Sequence, residues 1–119
     1  MGKSYKDLIV WQKSYALCLL VYETTKTYPK SEQYGLINQL RRCAVSIPSN
    51  ISEGYNRQHR GEYIQFLSIA YGSVAELETQ LLLSKDLNYC SQEKYEKAQG
   101  LVIEVSKMLR ALMESIKNA

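Results

Sequence analysis

Residues 34–60, YGLINQLRRCAVSIPSNISEGYNRQHR, carry two stripes of opposite character at one helical period. Leu36 and Ile37, Leu40, Cys43 and Ala44, Ile47 and Ile51 recur at three- and four-residue steps, the spacing of one face of an α-helix. Offset from them runs a polar row, Gln39, Arg42, Ser46, Asn50 and Glu53, whose side chains all donate or accept hydrogen bonds. The apolar stripe predicts a helix with one buried face. The polar row predicts a hydrogen-bonded network that fixes helix register, with Gly54 at the helix C-terminus. Pro48 has no N–H and crowds the carbonyl of Ala44, so a kink is expected there.

Upstream, Ser4 and Asp7 have the spacing of a capping box, and Leu8, Trp11, Tyr15, Cys18 and Tyr22 repeat at alternating three and four, which favours the core over the alternative that Trp11, Tyr15 and Tyr22 are stacking platforms for bases. Ala16, Leu17, Leu19, Leu20 and Val21 then fall on the flanks. This is more apolar surface than one core face uses, and the surplus predicts a contact between subunits. Pro29 disfavours helix at Tyr28, and Ser31 followed by Glu32 reads as the cap of the second helix. Downstream, Glu62 opens a third helix with Phe66 and Leu67, Ala70, Val74, Leu77, Leu81 and Ser84 in phase. Its interior Gly72-Ser73 predicts a close helix approach or an inserted side chain to offset the cost of glycine. Asn88 ends that helix and Ser91 caps the fourth, whose stripe is Ala98, Val102, Val105, Leu109, Leu112 and Ile116. The reading is an all-α single domain over residues 1–119, with helices at roughly 5–27, 32–53, 61–87 and 92–117.

The formal net charge is +3. Residues 1–60 carry nine Lys and Arg against four Asp and Glu, and residues 61–119 carry six against eight. The first half is therefore the basic one. An anionic partner accounts for such asymmetry, and so do a solvated face or ion pairs between helices. Arg41, Arg57, Arg60, Lys6 and Lys13 are the candidate phosphate contacts. Arg57 and Arg60 sit with His59 in the short turn between Gly54 and Gly61, which has no acid inside it. Arg42 is expected to pair with Glu76 of the third helix, leaving Arg41, about 100° further round, pointing outward.

Cys18, Cys43 and Cys90 are odd in number and far apart, as buried reduced thiols are. One histidine and no close cysteine pair leave no ligand set for zinc, and no cofactor is implied. No glycine-rich phosphate loop, HExxH, GxSxG or CxxC occurs. Ser46 and Glu53 share a helix face about 10 Å apart, too far for direct hydrogen bonding, so no enzyme is expected. The first ten residues lack a signal-peptide layout and no stretch approaches the ~20 apolar residues of a membrane span, which predicts a cytoplasmic protein.

Three segments in order, DLIVWQKSYALCLLVYE (7–23), QLRRCAVSIPSNISEG (39–54) and GSVAELETQLL (72–82), resemble the four-helix-bundle family encoded in intervening sequences of bacterial 23S ribosomal RNA genes. The same pattern is similar to the accessory variability protein of diversity-generating retroelements. The resemblance implies an up-down-up-down antiparallel four-helix bundle, assembly into a homopentameric ring and no catalytic chemistry. For the retroelement branch it also implies a basic surface that meets nucleic acid and a reverse transcriptase. The favoured reading is a non-enzymatic homo-oligomer that binds structured RNA or DNA, as an accessory to RNA processing or reverse transcription. The competing one is a protein-interaction scaffold in which the charges serve solubility.

Overall fold

The computed structural model describes residues 3–119, so Met1 and Gly2, counted above in the single domain, lie outside the described residues. Four helices, α1 (Ile9–Thr25), α2 (Leu36–Tyr55), α3 (Arg60–Asp86) and α4 (Gln92–Lys117), form a bundle with extents of 45 × 25 × 22 Å. Consecutive helices pack against each other and α1 closes on α4, as antiparallel neighbours joined by short connections do. The α2–α3 seam is the most extensive and the α1–α4 seam the least.

The ends of the helices follow from local hydrogen bonding. Ser4 and Asp7 make the expected capping box, but it caps a one-turn 3-10 helix, Tyr5–Asp7, and α1 starts only at Ile9. Ser31 does not cap α2; it lies within a second 3-10 turn, Lys30–Glu32. Glu32 supplies the acceptor instead, its Oε1 taking the N–H of Leu36 at 3.1 Å, while its Oε2 accepts from the Tyr89 hydroxyl at 2.9 Å. Asn88 adopts φ 64° after α3, in the left-handed region that asparagine tolerates best among side-chain-bearing residues. Ser91 Oγ accepts from Lys94 N at 3.2 Å and starts α4.

The core is built from Leu40, Ala44, Ile47 and Ile51 of α2, Leu67, Ala70, Val74, Leu77 and Leu81 of α3, and Ala98, Val102, Val105 and Leu109 of α4. In these three helices the periodic stripe and the buried face coincide. α1 is different. Its buried residues are Val10, Ser14, Leu17, Val21, Thr24 and Thr25, while Tyr15 is 48% and Tyr22 39% exposed and Trp11 and Cys18 are half-buried. The stripe assigned to the core is a flank, and two residues assigned to a flank, Leu17 and Val21, are core. The physical reason is that three core positions of α1 are hydroxyls. Ser14 donates to Trp11 O at 2.9 Å and Thr25 to Val21 O at 2.8 Å, so these two are satisfied within their own helix and tolerate burial, while the Thr24 hydroxyl is buried without a partner.

Gly54 is buried inside α2 rather than ending it. A Cβ there would stand 2.8 Å from Phe66 Cβ and 3.1 Å from Tyr63 Cδ1, so glycine lets the end of α2 lie on the start of α3. Gly72 makes no such approach: it is exposed, and a Cβ would meet nothing within 4 Å. Its neighbour Ser73 is the buried member of the pair. Pro48 is buried within α2, which is helical on both sides of it.

The Tyr28 hydroxyl is buried without a hydrogen-bond partner, beside Tyr89, with the two rings 5.6 Å apart. Burial first, and Cys90 nearby, push it to about 12, with the Ser84 hydroxyl pulling the other way. Burial also pushes the Cys43 thiol to about 12. Both groups must stay neutral in the fold but ionise at ordinary values when unfolded. Their contribution is therefore complete below pH 9 and is lost between about pH 9 and 12. Melting temperature is expected to fall through that window. Tyr28→Phe, which removes the orphan hydroxyl, should raise stability at pH 7 by up to about 1 kcal/mol and lessen the alkaline fall, as a pH series of thermal melts would read.

Candidate nucleic-acid interface

The polar row of α2 divides in two. Asn50 Nδ2 donates to Ser46 O at 2.8 Å and to Ser46 Oγ at 3.0 Å, and Ser46 Oγ lies 2.9 Å from Ser73 Oγ across the α2–α3 seam. The Ser46 hydroxyl accepts from the Asn50 amide, and either serine can donate in the Ser46–Ser73 pair. The Cys43 thiol donates to Ser73 O at 2.9 Å. Gln80, 8% exposed, reaches Gln39 Oε1 with its Nε2 at a long 3.5 Å. Gln39, Arg42 and Glu53 are exposed. Gln39, Arg42, Cys43, Ser46, Ser73 and Gln80 line a polar groove of about 340 Å³, with Glu76 beside them. Its thiol, Cys43, is held protonated by burial and by the Glu76 carboxylate beside it.

The five candidate cations are not brought together. Arg41 does not point freely outward: its Nε donates to Thr25 Oγ1 at 2.9 Å, its Nη2 to Tyr22 O at 3.4 Å, and its guanidinium covers the Tyr22 ring at 4.7 Å. The expected Arg42–Glu76 pair is absent among the described residues, and Arg42 is exposed. The roles of the two arginines are thus exchanged, because the hydroxyl that holds Arg41 comes from α1, not α3. Lys13 pairs with Glu104 of α4 at 3.2 Å. Arg57 lies between Glu53 at 3.4 Å and Glu62 at 3.5 Å, acids that flank its turn in sequence, and over the Phe66 ring at 5.1 Å. Lys6 and Arg60 are exposed and make no ion pair among the described residues.

Lys6 and Arg60 share one end of the bundle. Tyr5 of the first 3-10 turn lines a cavity with Ser52 near the end of α2, and Ser68 and Tyr71 near the start of α3 line another with Arg110, Met113 and Lys117 of α4. The segments bearing Lys3, Lys6, Arg60, Arg110 and Lys117 therefore lie toward this end, with no ion pair to any of them among the described residues. Of the acids at this end, Asp7 is taken up by the Ser4 N–H and Glu53 and Glu62 by Arg57, which leaves Glu114. Lys3, Arg110 and Lys117 were not among the sequence candidates. The charge count hid two of them in the net-acidic second half; the antiparallel return of α4 to the start of α3 was the signal that could have found them.

Between α1 and α2 runs a groove in two cavities of about 280 and 570 Å³ that share Val45 and Ser49. Its α1 wall is aromatic: Trp11 packs on Tyr5 edge-on at 5.3 Å and on Tyr15 in a stack at 5.0 Å.

Among the described residues no group of three His, Cys, Asp or Glu is placed to hold a metal ion, and no helix is long and apolar enough to cross a membrane. Residues 6–111 match the family model described as 23S rRNA-intervening sequence protein. The chain is also similar to a crystal structure from Bacteroides thetaiotaomicron VPI-5482, a protein of unknown function from the S23 ribosomal protein family. The two share 26% identity over 89% of this chain and 96% of that one, with a TM-score of 0.81. No curated protein matches the chain.

Proposed function

The chain belongs to the 23S rRNA-intervening sequence protein family, and from that premise we propose that it is a non-enzymatic, homo-oligomeric bundle that binds structured RNA or DNA through the basic end described above. The observation that carries the reading is the collection of Lys3, Lys6, Arg60, Arg110 and Lys117 at one end without carboxylate partners. Cations that are neither paired nor buried are the ones that displace counterions from a phosphate backbone. A net charge of +3 is small for one subunit, but a ring repeats the basic end in every subunit and multivalency raises affinity without a new contact. Five subunits is the number the family resemblance implies. The apolar residues left over on the outer side of α1 and on α4, Ile9, Leu19 and Ile103, are 54%, 58% and 44% exposed and supply surface for assembly. In this reading the protein is cytoplasmic and serves machinery that processes or copies RNA.

The test is fluorescence anisotropy with a hairpin RNA and a duplex DNA across a salt series, with native mass spectrometry of the same samples. Parent and a Lys6/Arg60/Lys117→Ala variant should have the same multimeric mass. The parent's log affinity should fall steeply with log salt, and the variant's slope should flatten by about 0.9 for each DNA phosphate contact removed. No binding at low salt would sink the nucleic-acid reading, and affinity indifferent to salt would favour the protein scaffold. A monomeric mass would end the proposal of assembly.

A further inference from the structure

The aromatic row of α1 leaves the core and faces the α2 groove, and this deepens the reading of an anionic partner, on which it rests. Trp11, Tyr15 and Tyr22 lie at i, i+4 and i+11, a spacing that keeps them on one side of the helix. Tyr15 is stacked on Trp11 through one face and is 48% exposed. Tyr22, 39% exposed, is covered on one side by the Arg41 guanidinium, itself fixed by Thr25 and the Tyr22 carbonyl. The groove thus presents two flat, pre-ordered π surfaces about two helical turns apart. Exposed aromatic faces of this kind cost apolar hydration unless something planar covers them.

Charge names the occupant. Arg41 and Arg42 line the groove, and none of the residues lining either of its cavities is Asp or Glu. Asn38, Ser46 and Ser49 add polar groups along the α2 wall. The geometry points to a binding track for single-stranded nucleic acid, in which unpaired bases stack on Tyr15 and on Tyr22 with its Arg41 cover, and Arg42 meets the phosphate between them. Stacking on aromatic side chains together with a cationic wall is how single strands are held with little sequence preference. The assignment gives Arg41 a role other than neutralising phosphate: it is a planar surface held in place. A structured RNA gripped at the basic end would lay an adjoining unpaired segment along this track.

Trp11 is the one tryptophan in the chain, so stacking on its partner Tyr15 can be followed directly. Oligouridylate and oligodeoxyuridylate of about ten nucleotides, a length within the range of known single-strand sites, are titrated against the full chain while Trp11 emission is recorded. Both should change it saturably, and a difference between the two sugars tells RNA from DNA. Tyr15→Ala and Tyr22→Ala should each weaken binding about 5- to 150-fold, the worth of one base stack. Tyr15→Phe and Tyr22→Phe keep the π face and should bind as the parent does. Failure of the phenylalanine variants to bind, or loss of multimeric mass in the alanine variants, would mean that the groove is a structural or subunit contact and would overturn the track. If hairpin and duplex bind but single strands leave Trp11 unchanged, the track fails while the basic-end reading stands. If nothing binds, both fall.

Discussion

Leu17→Ala is expected to destabilise the protein by about 3 kcal/mol, and Tyr15→Ala, two residues away, by about 1 kcal/mol or less. Leu17 is fully buried where α1 meets the core, so truncation removes apolar burial and leaves a void that α1 cannot close by itself. Tyr15 touches Trp11 on one face and solvent on the other. For a domain near this size the first change should lower the melting temperature by roughly 10–15 °C and the second by a few degrees. The comparison separates two rotational settings of α1 that differ in which stripe is core. Equal losses, or a larger one at Tyr15, would show that α1 presents its aromatic row inward and would remove the groove with it.

Gly54→Val should cost about 3 kcal/mol or more. The new Cβ would overlap Phe66 Cβ at 2.8 Å and press on Tyr63 Cδ1 at 3.1 Å and Tyr63 O at 3.3 Å. Phe66 Cβ is one bond from the backbone of α3, so it cannot swing aside, and the two helices must separate. Gly54→Ala meets the same contact but gains up to about 1 kcal/mol of helix propensity, so its net loss should be about 1–2 kcal/mol. Denaturant midpoints of the two variants would read the difference. A stabilising Gly54→Ala would show that the corner has room. Because Arg57 and Arg60 follow within six residues, separation at Gly54 should also disturb the basic end.

What could be read from the sequence depended on how cleanly each helix sorts its side chains. In α2 the apolar stripe has no polar intruder, so its buried face followed from spacing. In α1 the buried positions include Ser14, Thr24 and Thr25, which score as polar, while Trp11, Tyr15 and Tyr22 make a convincing stripe one flank away. Periodicity counts hydrophobic residues, and here the decisive fact was that hydroxyls can bond to their own helix. Gly54 carried the right signal for the wrong reason: a glycine near a helix end suits both a terminus and a close crossing. The candidate cations failed differently. Whether an arginine is free depends on atoms far away in sequence, Thr25 for Arg41 and Glu104 for Lys13, and no local pattern reports those.

Loop closure ranks the seams of this bundle. The α2–α3 seam closes across the short turn at residues 56–59, whereas joining Lys13 of α1 to Glu104 of α4 encloses roughly ninety residues, a difference of about 3 kcal/mol in chain entropy. The seam that costs most to close is also the least extensive. Loop closure alone therefore favours the α2–α3 hairpin over the α1–α4 seam, and hydrogen exchange is expected to show α1–α4 the less protected of the two. α1 is then the shutter of the bundle: the helix that bears the aromatic track is the one held on one side by the seam that opens first.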